Sequence, residues 1–222
     1  MTLAELIKRF RVLAHDSVQP YFTEDEALTA WLNDAVSEAA IRGRLIHTSN
    51  EPLVCEVTLT PNQSEYALHE SLYELSRVWY APTDGRGQCL TLCSTETLDE
   101  HYHDDWRSMI GNPIFAVQKD TTIQIVPTPE YPAKLKLEGY RLPLTDMVLP
   151  DDVPEIHKAH HVYLIQWALH KAFSVPDTEF FDAERSAIAL EDFENYFGLR
   201  PDSDLRRITR EDKPHVAESF MP

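Results

Sequence analysis

The sequence predicts an α+β protein in which N- and C-terminal helical hairpins form a four-helix bundle around an inserted antiparallel β module. Apolar residues recur every three or four positions near both ends of the chain, which is the helical period. Between Pro52 and Pro150 they alternate instead, as in strands. The predicted parts are a helical bundle of residues 1–50 and 151–198, a β-rich module of residues 51–150, and a flexible C-terminal arm of residues 199–222.

The N-terminal hairpin is predicted from two helix-start signals. Thr2 and Glu5 have the spacing of a capping box, and apolar residues follow on one helix face. Thr23 and Glu26 repeat the spacing before a longer helix that ends near Gly43.

The C-terminal hairpin is predicted between Pro154 and Gly198. Its first helix begins at Pro154, since proline is tolerated in a first turn. Pro176 interrupts it, Asp177 caps the second helix, and Gly198 ends that helix.

The central region is predicted to contain strands, two hairpins and one short helix. The helix is capped by Thr95. The predicted elements are a strand at Leu53–Thr60, a hairpin of 74–81 and 88–94 around a turn at 82–87, two strands joined near Lys119 and Asp120, and a last strand at 134–144.

Composition excludes several functional classes. The chain of 222 residues has a net charge of −17, whereas a protein that grips duplex DNA must supply many cations. Uninterrupted apolar runs are only a few residues long, so we expect neither a membrane span nor a standard signal peptide. We expect Cys55, Cys89 and Cys93 to be reduced thiols in a cytosolic compartment.

The strongest catalytic candidate is His101, His103 and Asp105, which have the H-x-H-x-D spacing of dinuclear metallohydrolases. Trp106 stands where that pattern has a further histidine, and a polar turn is the simpler interpretation.

Three histidines offer a second metal candidate. His157, His160 and His161 have helical ligand spacing, but the H-E-x-x-H motif is absent. The chain also lacks nucleotide-binding and nucleophile-elbow motifs. We therefore expect no catalytic residue, no metal and no cofactor.

A series of motifs runs in a fixed order through residues 1–198. The N-terminal motif residues are Asp16, Phe22, Asp25, Glu26, Trp31, Leu32, Asn33, Ala35, Glu38, Ala39 and Arg42. The central ones are Arg77, Val78, Trp79, Tyr80, Trp106, Gly111, Pro113, Pro127, Pro129, Tyr140, Arg141, Leu142, Pro143 and Leu144. The C-terminal ones are Pro154, Glu155, Ile156, His157, Ala168, Leu169, Ala172, Asp177, Glu179, Phe193, Phe197 and Gly198. With its motifs in this order, the chain resembles the head-to-tail adaptor, or connector, proteins of tailed bacteriophages.

The resemblance implies a virion protein that is not an enzyme and that lies at the head–tail interface. It implies a closed, twelvefold ring beneath the portal that extends the DNA channel and gives the tail its attachment site. The implied partners are the portal protein, tail or nozzle proteins and further copies of the chain, which meet in the host cytoplasm. Genomic DNA would pass through the lumen without specific binding, because an acidic wall repels phosphate.

The arm after Gly198 carries no net charge, unlike the acidic remainder of the chain. It is either a frayed terminus or an arm that becomes ordered on the portal. Its candidate docking residues are Arg200, Arg206, Arg207, Arg210, Lys213 and Phe220. The alternative functions are another virion part, such as a head-closure or tail-completion protein, and a metallohydrolase that uses His101, His103 and Asp105.

Overall fold

The computed structural model describes residues 1–176 and 180–201, and within them the chain forms six helices and ten strands. The helices are α1 (Leu3–Ala14), α2 (Asp25–Gly43), α3 (Pro52–Cys55), α4 (Thr95–Tyr102), α5 (Leu164–Ser174) and α6 (Ala183–Phe197). The strands are β1 (His47–Thr48), β2 (Glu56–Leu59), β3 (Glu65–Ala67), β4 (Leu72–Pro82), β5 (Gln88–Leu92), β6 (Ile110–Gly111), β7 (Phe115–Gln118), β8 (Thr122–Val126), β9 (Thr128–Pro129) and β10 (Ala133–Arg141).

The chain divides into two compact units. The first contains Met1–Thr48, Ser71–Glu74 and Tyr140–Arg200. The second contains Ser49–Glu70 and Leu75–Gly139. The ranges predicted for bundle, β module and arm remain predictions.

The core of the first unit is formed by α1, α2, α5 and α6. Its fully buried side chains include Leu6, Phe10, Leu28, Leu32 and Phe193. Burial of each such side chain stabilises the fold by about 1.5–3 kcal/mol. Small residues on α2, among them Ala35 and Ala39, are also fully buried and let neighbouring helices approach closely.

The predicted start of α1 is confirmed, whereas the predicted cap of α2 is wrong. Thr2 and Glu5 form the reciprocal bonds of a capping box. α2 begins instead with Glu24 at the N-cap and without a side-chain cap. Thr23 is buried, and its amide donates to the carboxylate of Asp16 at 3.2 Å.

The C-terminal hairpin is shorter than predicted. Helix α5 begins at Leu164, and residues 154–160 form bends and turns instead. The buried ring of His161, which follows them, bonds the carbonyl of Ile156, 3.0 Å away. Asp182 caps α6 by accepting the amides of Glu184 and Arg185. Asp177, the predicted cap, lies outside the described residues. Gly198 ends α6 with φ +92°, as predicted from its freedom to adopt positive φ.

The sheet orders its strands β1-β10-β4-β5-β7-β8-β3, and β2 also pairs with β10. The β4–β5 hairpin is confirmed, with Trp79 opposite Cys89 in an antiparallel register. The predicted hairpin near Lys119 is also confirmed, since β7 and β8 are antiparallel neighbours. Helix α4 exists, and its N-cap is Ser94.

The prediction of a four-helix bundle with an inserted antiparallel β module is wrong. The fold is α+β with a large mixed sheet, because β5 pairs with β7 in parallel within it. Strands β6 and β9 form a separate two-stranded parallel sheet. The chain between β5 and β7 contains α4 and a 3-10 helix at Asp105–Arg107, and a connection of this length lets neighbouring strands run in the same direction. The first unit is not purely helical either, since it contains β1 and residues of β4 and β10. The strand predicted from Leu53 starts only at Glu56, because Pro52 opens the short helix α3.

Candidate assembly surface

The three metallohydrolase candidates do not form a metal site. His101 lies on α4, and its Nδ1 is 2.8 Å from the carbonyl oxygen of Thr97 on the same helix. His103 follows that helix with φ +51°, and Asp105 opens the 3-10 helix. Among the described residues, no group of three His, Cys, Asp or Glu side chains is arranged to hold a metal ion.

The same segment has a structural role that depends on Asp99. The indole Nε1 of Trp106 donates to Asp99 Oδ1 at 2.7 Å, and Arg107 Nη1 donates to the same oxygen at 2.8 Å. The bonds from Arg107 and Trp106 hold the pKa of Asp99 below its ordinary value. Trp106 is thereby fixed in a small core with Leu98 and Val117.

The second histidine group does not converge on one point either. His161 is 1% exposed, its Nε2 donates to Ile156, and its Nδ1 lies 2.8 Å from the Met1 amino nitrogen. His160 Nδ1 is 3.1 Å from the hydroxyl of Tyr196 on α6. Burial, with the nearby His157 and His161, lowers the pKa of His160.

A buried ion pair fixes the loop between α1 and α2. Arg11 Nη1 donates to Asp16 Oδ2 at 2.8 Å, and the two side chains are 8% and 0% exposed. Asp16 also accepts the amides of Phe22 and Thr23 at 2.9 and 3.2 Å. Arg11 bonds in addition the carbonyl of Thr23 and the carboxylate of Asp25. This clamp gives a structural reason for the aspartates of the N-terminal motif.

Two further clamps fix the loop after β10. Arg141 pairs with Glu155 through both terminal nitrogens, and the amide of Leu144 donates to Glu155 at 2.9 Å. The bonds from Arg141, together with that amide, lower the pKa of Glu155 although burial opposes the shift. Asn33 on α2 exchanges two bonds with the backbone of Met147, at 3.0 and 2.9 Å.

Arg42 links α2 to the end of α6, where the predicted docking arm begins. Its nearly buried guanidinium bonds Glu38 and Glu194, each at 3.1 Å, and the carbonyl of Gly198 at 3.4 Å. Arg200 then reaches Glu38, with 3.7 Å between Nη2 and Oε1, while its side chain stays 66% exposed. Of the six predicted docking residues, Arg200 alone lies in the described part of the chain; the others are Arg206, Arg207, Arg210, Lys213 and Phe220.

The first unit exposes large apolar side chains along two stretches. One lies around the clamped α1–α2 loop and the start of α6, and the other lies in the loop after β10. The exposed residues are Val12, Leu13, Val18, Phe22, Phe181 and Ile188 in the first stretch, and Leu144, Val148, Leu149 and Val153 in the second. A contiguous exposed apolar patch marks a protein–protein contact, which makes these two stretches candidates for such contacts.

Sequence reasoning missed all of these clamps. One signal was available, since Arg11 directly follows Phe10 in the apolar stripe of α1, where an unpaired charge would be costly. An arginine in that position requires a buried partner. The pairing of Arg141 with Glu155 has no comparable local signal.

Comparison with known families gives one match. A family model described as SU10 adaptor protein matches residues 1–216, which leaves only the last six residues outside. The chain matches no curated protein. None of the helices in the described ranges is long and apolar enough to cross a membrane.

Proposed function

Since the chain belongs to the SU10 adaptor family of phage head-to-tail adaptors, we propose that it forms a ring beneath the portal and provides the attachment site for the tail. As a phage structural adaptor it is a virion protein that interacts with portal and tail proteins. The match over residues 1–216 carries this conclusion, because it covers both units.

The charge of the chain supports a position around the DNA channel. A net charge of −17 is repeated in every copy of a ring, so a lumen lined by such subunits repels the phosphate backbone. DNA then slides through the lumen without specific binding. We propose a twelvefold ring that extends the channel of the portal.

The exposed apolar stretches support lateral contacts between copies. A closed ring needs two different patches on each subunit, one for each neighbour. The first unit has two such stretches, and each lies at a loop that is fixed by a clamp. Rigid loops lower the entropic cost of forming these contacts.

Electron microscopy of the chain mixed with its cognate portal tests this function. We expect closed rings at one end of the portal, with twelve subunits in averaged end views. Absence of a complex at micromolar concentrations, or attachment to tail proteins alone, would contradict a position beneath the portal.

We further propose that residues 199–222 dock on the portal. Guanidinium groups form paired hydrogen bonds with carboxylates, so Arg206, Arg207 and Arg210 suit an acidic partner surface. Deletion of residues 199–222 is expected to leave a folded chain that no longer binds portals in a pull-down assay. Normal binding by the truncated chain would refute this role.

A pair of matched variants separates the arm from a general charge effect. Replacing Arg206 and Arg207 with alanine is expected to weaken portal binding. Replacing Lys8 and Arg9, which are exposed on α1, removes the same charge and should leave binding unchanged.

A further inference from the structure

A groove of about 490 Å³ lies in the first unit, between α2 and the loop after β10. Its wall on α2 includes Glu26, Ala30 and Asp34, and its wall on the loop includes Asp146 and Val148. The bonds between Asn33 and the backbone of Met147 hold the two walls together. The groove is therefore a fixed feature of this unit.

The chemistry of the groove is both acidic and apolar. The carboxylates of Glu26, Asp34 and Asp146 are exposed, and within the described residues none of them forms an ion pair or hydrogen bond. The side chain of Val148 is 74% exposed, and the neighbouring Leu149 is 63% exposed. A ligand that fits this groove has closely spaced cations and apolar side chains in one short segment.

The chain leaves the described region beside this groove. Arg200 pairs with Glu38, which follows Asp34 by one helical turn on α2. With a rise of about 1.5 Å per residue, the groove extends from about 6 Å to about 18 Å along α2 from Glu38. Six extended residues span about 20 Å, so the chain from Arg200 is long enough to reach the groove by Arg206.

The segment within this reach has the matching chemistry. Residues 205–210 read Leu-Arg-Arg-Ile-Thr-Arg and contain three arginines and no acidic residue. We infer that residues 205–210 occupy the groove of their own chain in the free subunit. Their arginines pair with the groove carboxylates, and Leu205 and Ile208 cover Val148 and Leu149.

The consequence for assembly rests on the proposed function. If the portal binds the same arginines, the groove competes with it and keeps the arm against the free subunit. Exposed ion pairs contribute little individually, so a few of them hold the arm only weakly. A portal surface with more paired carboxylates then displaces it.

Paramagnetic broadening in the free full-length chain tests the inference without any portal. A nitroxide is attached at Thr209→Cys in a Cys89→Ser background, since Cys89 is the exposed cysteine and Cys55 and Cys93 are buried. We expect the amide signals of Ala30 and Asn33 to lose intensity. The loss should disappear at about 1 M salt, where the Debye length falls to about 3 Å.

Two charge-matched variants identify the groove. The double variant Asp34→Asn, Asp146→Asn is expected to restore the intensity of the Ala30 and Asn33 amide signals. Glu191→Gln with Asp192→Asn changes the charge equally on exposed positions of α6 and should leave the broadening intact.

Three results would overturn the inference. The first is no broadening at low salt, and the second is broadening that persists in the Asp34→Asn, Asp146→Asn variant. The third is equal broadening in a mixture in which the nitroxide is on one chain and the observed α2 amides are on another. The last result would assign the groove to the arm of a neighbouring copy. Because no portal is present, failure here is distinct from failure of portal docking.

Discussion

The buried clamp between Arg11 and Asp16 gives the sharpest prediction for stability. Asp16→Ala removes a carboxylate that is fully buried and accepts from Arg11 and from the amides of Phe22 and Thr23. The guanidinium then keeps the carbonyl of Thr23 and the exposed Asp25 as hydrogen-bond partners, together with its cation–π contact with the Tyr21 ring. Breaking a buried pair in this way costs about 3–5 kcal/mol, because one charge is left buried. The free energy of unfolding of a typical protein is about 5–15 kcal/mol, so this loss is a large fraction of the total stability.

Urea denaturation followed by circular dichroism measures this loss. Asp25→Ala is the matched control, since the same arginine loses a carboxylate that is 68% exposed. We expect Asp25→Ala to lower the free energy of unfolding by at most about 1 kcal/mol through loss of the exposed ion pair. Loss of a favourable negative charge from the first turn of α2 adds a similar amount. A loss below about 1 kcal/mol for Asp16→Ala, or equal losses for both variants, would refute the assignment of the clamp.

Two further predictions concern pH and the β4–β5 hairpin. Because the pKa of His160 is lowered from 6.5, the unfolded chain binds a proton that the folded chain does not, so the free energy of unfolding falls as pH drops below 6.5. His160→Gln should flatten this dependence in urea titrations, whereas the exposed His101→Gln should not, and equal slopes for both would contradict the reasoning. Gly87→Ala should lower stability by about 1–3 kcal/mol in thermal unfolding, since its Cβ would lie 2.7 Å from Trp79 Nε1 and 2.9 Å from the carbonyl oxygen of Tyr80. The exposed turn variant Asp84→Ala should be neutral, and similar losses in both would exclude steric crowding as the cause.

The sequence predicted individual elements better than their arrangement. Local signals gave the Thr2 cap, the end at Gly198 and the β4–β5 hairpin, because each depends on residues close in the chain. The parallel pairing of β5 with β7 depends on where a connection of more than twenty residues returns, and alternation of apolar residues does not encode that. The start of α5 was also misplaced. The buried His161 bonds the carbonyl of Ile156 and also Met1, and the helical period does not encode the second contact, which joins residues 160 positions apart.

The docking residues of the C-terminal arm remain a prediction. Arg200 was named among them from the sequence, but its contact with Glu38 depends on α2 and α6 ending side by side. The groove was not predicted, since Asp34 and Asp146 are more than one hundred residues apart. One local signal was available but was not used. Arg11 is a charged residue within the apolar stripe of α1, and such a residue requires a buried partner.

The polar and charged residues of the adaptor motifs fix the position of backbone segments in this chain. Asp16 bonds a loop, Asn33 bonds the backbone of Met147, and Arg42 bonds the carbonyl that ends α6. Each of them fixes backbone next to an exposed apolar stretch or next to the root of the arm. An adaptor needs surfaces that are already in place when its partners arrive, because ordering a loop at that moment reduces the net binding free energy. A substitution at these clamps is therefore expected to weaken assembly through the position of the loops, even where no clamp residue contacts a partner.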